Sequence, residues 1–156
     1  MSVRVRAAVF PDDLVAVRAL VGAYLRQTEA EKAMHGLAVA GAPLPDPYAR
    51  EVVDPACAFA GMTVLLAETD GAPVGVVVCV DGTDGREVKR LWVDPAVRGT
   101  GAGRALLDAV LASSARPVRL TVWRWREPAI RLYRRLGFAE VPSWDDRRDL
   151  VCLQLD

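Results

Sequence analysis

The sequence lacks the side chains on which several classes of protein depend. Its 156 residues include three cysteines and one histidine, so a disulfide scaffold and a zinc site are both disfavoured. Cys57, Cys79 and Cys152 lie far apart in apolar stretches, which predicts buried, inert thiols in a reducing cytoplasm. His35 has no serine or cysteine partner in view, so no catalytic triad can be argued from it.

Long apolar runs are missing as well. No segment reaches the roughly 20 apolar residues that span a bilayer, and no run of signal-peptide length follows Arg4 and Arg6. We therefore expect a cytoplasmic protein that does not act at a membrane. The composition is 52% hydrophobic and 26% charged, which predicts one folded domain over residues 1–156.

Net charge is absent, with 20 basic against 20 acidic side chains. Aromatic residues make up only 6% and are not interleaved with a basic stripe, which argues against a nucleic-acid binder. The balance hides an asymmetry, because residues 86–135 carry twelve basic and four acidic side chains. That local excess attracts an anion, and a phosphorylated small molecule fits its compact location best.

The spacing of apolar positions predicts a mixed α/β or α+β domain. Alternation and valine-rich runs indicate strands at 3–7, 62–68, 74–80, 87–93, 118–123 and 149–155. Helical spacing indicates a helix after Pro11, a second helix over 29–39, and further helices over 101–114 and 128–136. Prolines mark a loop over 41–47, and residues 48–60 are weakly helical.

One glycine-rich segment carries the chemistry. A predicted strand ends at Val93, and after a short turn the next residues lead straight into an amphipathic helix. Glycines let the main chain approach a ligand, and the first amides of a helix are unpaired and favour an anion. We predict a phosphate cradle, with a plain structural turn as the alternative. It consists of Arg98, Gly99, Thr100, Gly101, Ala102, Gly103 and Arg104, whose two arginines can pair with phosphates.

The sequence does not meet the requirements of two common phosphate-binding motifs. The dinucleotide fingerprint needs Gly-x-Gly-x-x-Gly and an acidic residue about 20 positions later. Here the glycines are Gly99, Gly101 and Gly103, and the strand that follows the helix has no acidic residue. A nucleotide P-loop needs Gly-Lys-Ser/Thr, which the chain does not contain.

Two motifs in the right order resemble the GNAT superfamily of acyl-CoA-dependent N-acetyltransferases. The family's pyrophosphate loop, Arg/Gln-x-x-Gly-x-Gly/Ala, is matched at Arg98, Gly101 and Gly103. Its later signature is matched by Ala129-Ile-Arg-Leu-Tyr-Arg-Arg-Leu-Gly-Phe138. The resemblance implies an α/β (α+β) domain with a mixed, mostly antiparallel sheet flanked by helices and a splayed central strand pair. It also implies acetyl-CoA as cosubstrate, without a metal.

The resemblance further implies roles for two elements. The main chain of Leu91, Trp92 and Val93 is expected to bind the pantetheine arm of the cosubstrate, and this strand is expected to splay from the strand over 118–123. Tyr133 is the expected acid that protonates the leaving thiolate. A core tyrosine on the helix stripe is the alternative, and the two are compatible.

Glu87 is the candidate base, directly or through water, because it matches the position used by several relatives. Strand alternation places it on the face of Leu91 and Val93 unless a bulge intervenes. An ion pair with Lys89 or a neighbouring arginine is the rival role.

The region of the amine acceptor is less defined. Arg126 stands where many relatives have an asparagine that helps to hold the cofactor, so that role is not carried over, although an arginine could reach a phosphate. His35 either is structural or lines the acceptor pocket. Trp123, Trp125 and Trp144 lie near strand ends and form either core and rim or an aromatic cage for a cationic amine.

We therefore expect an N-acetyltransferase that moves an acetyl group from acetyl-CoA to a primary amine of a small molecule or peptide. Transfer is expected to be direct, in a ternary complex. The alternative is a non-catalytic acyl-CoA-binding regulatory or interaction module. The expected partners are acetyl-CoA and an amine bound by residues 25–60, with no nucleic acid or membrane, and a homodimer is left open.

Overall fold

Seven strands form one sheet, and helices cover both of its faces. The computed structural model describes residues 2–156. In chain order the elements are β1 (Val3–Ala7), α1 (Leu14–Met34), α2 (Asp46–Val53), α3 (Pro55–Ala58), β2 (Thr63–Thr69), β3 (Ala72–Gly82), β4 (Gly85–Val93), a 3-10 turn (Pro95–Val97), α4 (Ala102–Leu111), β5 (Val118–Trp123), α5 (Glu127–Arg135), β6 (Ala139–Glu140) and β7 (Leu150–Leu155).

The strands lie in the order β1-β2-β3-β4-β5-β7-β6. Each neighbouring pair is antiparallel except β4 and β5, which run parallel. The helix α4 connects these two strands, as a parallel pair requires a crossover. The prediction of a mixed, mostly antiparallel sheet flanked by helices is confirmed.

The buried apolar side chains form two clusters, one on each face of the sheet. Successive residues of β3 supply both clusters, because side chains alternate along a strand. Val77 packs with Leu106 on the side that we call the α4 face, and Val76 packs with Val17 on the side that we call the α1 face. All four side chains are fully buried.

The separate helix predicted over 29–39 is wrong. α1 runs without interruption from Leu14 to Met34, because no proline lies in this range and Gly22 is buried within it. The helix ends where Gly36 takes a φ of 74°, a left-handed conformation typical of a helix terminus. Residues 29–34 of the predicted second helix are therefore the last turns of α1, and residues 35–39 lie beyond its end.

The prediction that all three cysteines are buried is wrong for one of them. Cys79 and Cys152 are buried, whereas Cys57 is exposed. It lies on the single-turn helix α3, whose inward side is taken by Pro55 and the following Phe59. An apolar neighbourhood in the sequence therefore did not decide which side of this short helix faces the core.

Within residues 2–156, no helix combines the length and the apolarity needed to cross a bilayer. The same residues contain no group of three or more histidine, cysteine or carboxylate side chains placed to hold a metal ion.

Candidate active site

The parallel strands β4 and β5 separate soon after they begin to pair. Their register consists of Arg86 with Val118, Glu87 with Arg119, and Val88 with Leu120, and pairing stops there. The edge of β4 over 89–93 and the facing edge of β5 over 121–123 have no strand between them. This opening, which we call the split, confirms the predicted splayed pair.

A bulge in β4 lies beside the split. One residue of β3, Val77, stands opposite two of β4, Arg90 and Leu91. Arg90 takes a φ of 54°, in the left-handed region that an arginine rarely adopts. Its guanidinium holds the carboxylate of Glu51 with two hydrogen bonds of 2.7 and 2.8 Å, which fasten the bulge to α2.

The bulge reverses the direction of the side chains that precede it. Leu91 and Val93 pack against the α4-face cluster, and so does Val88. Because neighbours alternate, Glu87 points to the α1 face. Glu87 therefore does not share the face of Leu91 and Val93, because the bulge foreseen as the exception is present and shifts the alternation by one.

The glycine-rich turn before α4 offers unpaired main-chain donors. The amides of Gly99, Gly101, Ala102, Gly103 and Arg104 find no acceptor among residues 2–156. Gly101 has a φ of 90°, and a Cβ built on it would meet no atom within 4 Å. The turn is therefore open on the side where a ligand would lie, and a side chain at this position would fill that space. These features fit a diphosphate.

The two arginines that flank the turn are already engaged. Arg98 donates from Nε to the carbonyl of Val93 at 3.2 Å, and its Cζ lies 4.7 Å from the ring centroid of Trp92. Arg104 pairs with Asp108 at 3.0 Å on the exposed side of α4. The arginines add positive charge near the turn, while its main-chain amides are the free donors.

Tyr133 lies in the core on the inward side of α5 and is 7% exposed. Its ring contacts that of Phe138 edge-on, with centroids 5.9 Å apart. Burial raises the pKa of Tyr133, the nearby Tyr24 raises it further, and the charge of Arg126 opposes the shift. The phenol therefore stays protonated at neutral pH, and no hydrogen bond within residues 2–156 occupies its hydroxyl.

Glu87 lines a cavity of about 220 Å³ on the α1 face, together with Arg119 and Trp144. Neither a hydrogen bond nor an ion pair from residues 2–156 reaches its carboxylate, so the rival pairing with Lys89 is not formed. Glu87 and Tyr133 thus belong to opposite faces of the sheet, on either side of the split.

The sequence did not reveal a polar network between α1 and the start of α5. Arg126 donates from Nε to Glu31 and from Nη2 to Thr28, both at 2.8 Å. Glu31 also accepts from Trp125 at 2.7 Å and Gln27 at 2.8 Å. These bonds lower the pKa of Glu31 against the opposing effect of burial. Arg126 is therefore committed to α1 and does not lie free to meet a phosphate.

The aromatic side chains fall into two groups. Trp125 stacks on His35 with centroids 4.0 Å apart and on Trp123 with centroids 5.0 Å apart. The ring of Trp144 has a different partner, the guanidinium of Arg119, whose Cζ lies 3.9 Å from its centroid. His35 thus stacks on Trp125, which in turn stacks on Trp123.

A split parallel pair, a bulge beside it and an amide-lined turn before α4 together form the candidate site. The sequence profile of the acetyltransferase (GNAT) domain matches residues 60–140, which include the turn, the split and Tyr133. The chain belongs to the GNAT acetyltransferase family, whose members use acetyl-CoA.

Curated relatives match parts of the chain. A mycothiol acetyltransferase of Clavibacter sepedonicus is 44% identical over 97 residues, which are 60% of this chain and 29% of that protein. An N-acetyltransferase of Methanocaldococcus jannaschii is 33% identical over 93 residues, 51% of this chain and 41% of that protein. The chain thus matches less than half the length of either relative.

Solved structures with low identity share the whole fold. A GNAT-family acetyltransferase of Staphylococcus aureus superposes with a TM-score of 0.71 at 14% identity, covering 99% of this chain and 98% of that one. YncA of Salmonella typhimurium, solved with acetyl-CoA, gives 0.66 at 22% identity, covering 100% and 94%. The fold of this chain is therefore the GNAT fold.

Proposed function

We propose that the protein is an N-acetyltransferase that moves an acetyl group from acetyl-CoA to a primary amine by direct transfer in a ternary complex. The observation that carries the proposal is the position of the turn of unpaired amides, directly after the β4 edge that has no partner strand. A diphosphate bound by the turn and an extended arm bound along the β4 edge would use both sets of free main-chain groups. We further propose that residues 1–156 act as one domain.

The cosubstrate would be held mainly by main-chain groups. The amides of Gly99 and of 101–104 would donate to the diphosphate, aided by the dipole of α4. Arg98 and Arg104 would contribute positive charge, and Thr100 would complete the turn through its hydroxyl, which donates to the carbonyl of Val97 at 2.6 Å. The main chain of Leu91, Trp92 and Val93 would bind the pantetheine arm in the split.

An amine must lose a proton before or during its attack, because the reference pKa of an alkyl amine is near 10.4. Glu87 is the proposed acceptor of that proton, since its carboxylate lines a cavity and has no partner among residues 2–156. Main-chain amides beside the bulge would donate to the carbonyl oxygen of the acyl group as it gains charge.

Tyr133 is the proposed acid. The acyl group of acetyl-CoA is attached through sulfur, and a thiolate leaves when it is transferred. The phenol of Tyr133 is protonated at neutral pH, as an ordinary phenol is, and burial raises its pKa further. Its hydroxyl therefore carries a proton that it can donate. The proposal has Glu87 act from one face of the sheet and Tyr133 from the other.

Two measurements test the proposal. Calorimetric titration with acetyl-CoA should show binding, and addition of mixed primary amines should release free CoA thiol in proportion to amine. Binding without amine-dependent release would instead favour the acyl-CoA-binding module. Absence of binding would overturn both readings.

A further inference from the structure

Arg119 has a buried donor without a partner. Among the buried side-chain nitrogen and oxygen atoms of residues 2–156, the Nε of Arg119 is the one that makes no hydrogen bond. Leaving a charged donor unsatisfied away from water is costly, so such an atom calls for an explanation. The rest of the guanidinium is within reach of a ligand, because 24% of the Arg119 side chain is exposed and the residue lines a cavity.

The surroundings of Arg119 hold its guanidinium in place but leave its donors underused. The ring of Trp144 lies 3.9 Å from Cζ, which fixes the plane of the group. The nearest carboxylate, that of Asp84, is 3.9 Å from Nη1 and its side chain is 85% exposed. In contrast, Arg86 nearby is fully used by Asp81 at 2.8 and 3.0 Å. Arg119 is therefore free to bind an anion.

This guanidinium stands beside the proposed base. Glu87 and Arg119 are partners in the parallel register of β4 and β5, and both line the 220 Å³ cavity. Only the pair of Val88 and Leu120 separates them from the split. The cavity thus presents an unpaired carboxylate and an underused guanidinium next to each other, one residue pair from the split.

We propose that this cavity binds an acceptor that carries both an amine and a carboxylate, with the amine at Glu87 and the carboxylate at Arg119. The inference rests on the proposed function and names its substrate class, an α-amino acid. The two side chains arise from paired positions on neighbouring strands and line the same cavity, so one small molecule that carries both an amine and a carboxylate could meet both groups. The cavity is smaller than the roughly 300 Å³ at which pockets for drug-sized ligands begin, so a small acceptor fits it.

The test compares matched acceptors. The protein is incubated with acetyl-CoA and each proteinogenic L-amino acid, alongside the α-amide of the same amino acid, and thiol release is measured. At least one amino acid should react, with kcat/KM about 10- to 100-fold above that of its α-amide, the range expected for a hydrogen bond to a charged group. Binding is followed separately through the indole N–H signal of Trp144, assigned with Trp144→Phe, which the acid should shift and the amide should not.

Variants assign the preference to Arg119. In Arg119→Gln the advantage of the acid over the amide should disappear, mainly through KM, while Arg119→Lys should restore part of it. Arg124→Gln, which removes a charge from a mostly exposed arginine just after β5 and outside the cavity, should keep the full preference. Each variant is compared with the wild type for acetyl-CoA affinity, which should not change.

Several results would overturn the proposal. One is an equal kcat/KM for the amino acid and its α-amide, and another is a preference for the acid that persists in Arg119→Gln. In either case the role of Arg119 would be limited to holding the turn over 82–85 against Trp144. Another is that a diamine such as putrescine is acetylated while no amino acid reacts and none shifts the indole N–H signal of Trp144. That result would overturn the amino-acid proposal but leave the proposed function standing. Failure to bind acetyl-CoA would overturn the proposed function as well.

Discussion

Arg126 donates a hydrogen bond of 2.8 Å to Glu31, a residue 95 positions earlier in the chain. The bond joins the start of α5 to the last turns of α1 and is supported by a second one to Thr28, which is 9% exposed. The side chain of Arg126 therefore serves as a contact between two helices that lie far apart in the chain.

Replacing Arg126 by asparagine should therefore destabilise the fold. We expect the free energy of unfolding to fall by about 1–3 kcal/mol, because Glu31 and Thr28 lose a charged donor in a partly buried setting. Urea unfolding measures the change. Arg104→Asn is the matched control, since its pair with Asp108 is more than half exposed and should contribute less than about 0.5 kcal/mol. Equal losses in the two variants would contradict the expectation.

Replacing Gly101 by leucine should abolish most of the affinity for acetyl-CoA while the protein still folds. The leucine side chain would project into the open space above the turn, and its left-handed backbone would cost about 1–2 kcal/mol of stability. Gly61→Leu is the control, because Gly61 has a φ of 79° and the same open space but lies far from the turn in the chain. Titration calorimetry should show that Gly101→Leu, and not Gly61→Leu, loses acetyl-CoA affinity by at least about tenfold, as expected for a blocked anion site. Unchanged affinity would exclude the cradle.

Tyr133→Phe should lower turnover far more than cosubstrate affinity. The substitution keeps the ring that packs on Phe138 and removes only the hydroxyl. Loss of a general acid costs about 10²- to 10⁴-fold in rate, so kcat should fall by that order while circular dichroism and acetyl-CoA binding persist. Equal turnover would show that water protonates the leaving thiolate and that Tyr133 is only a core residue.

Glu87→Gln should slow amine acetylation by about the same order, because an amide cannot accept the proton. Acetyl-CoA affinity should be retained, as Glu87 lies on the α1 face and away from the turn before α4. The control is Glu140→Gln, which removes a carboxylate from the exposed edge strand β6. If Glu87→Gln turned over like the wild type, a water or another group would have to be the base.

The free energy of unfolding should decrease at low pH because Asp13 becomes protonated. Its carboxylate accepts two hydrogen bonds from Arg6 and one from the amide of Val9, which lower its pKa from 3.8 to about 2. Because the folded pKa lies below the unfolded one, the contribution is complete above pH 3.8 and is lost as the pH falls towards 2. Urea unfolding of wild type and Asp13→Asn over this range should converge at the acid end. A constant difference between them would contradict this assignment.

Much of the site could be predicted because it rests on local sequence. The turn before α4 is contiguous, and its glycines and helix start require no distant partner, so the open amides follow from the motif itself. The position of Tyr133 likewise follows from helical spacing. The face of Glu87 could not be predicted, because it turns on the bulge at Arg90, whose side chain bonds to Glu51 of α2, a contact that strand alternation does not encode.

The sequence by itself determined the family, the six longer strands, the two helices after β4 and the amide-lined turn, since each follows from residues close together in the chain. Tertiary structure alone decided what surrounds the split: the bond of Arg126 to Glu31, the stack of His35 on Trp125, and the pairing of Glu87 with Arg119 on neighbouring strands. These contacts join residues about 30 to 95 positions apart, and their geometry is set by sheet register and helix packing, which no local pattern specifies.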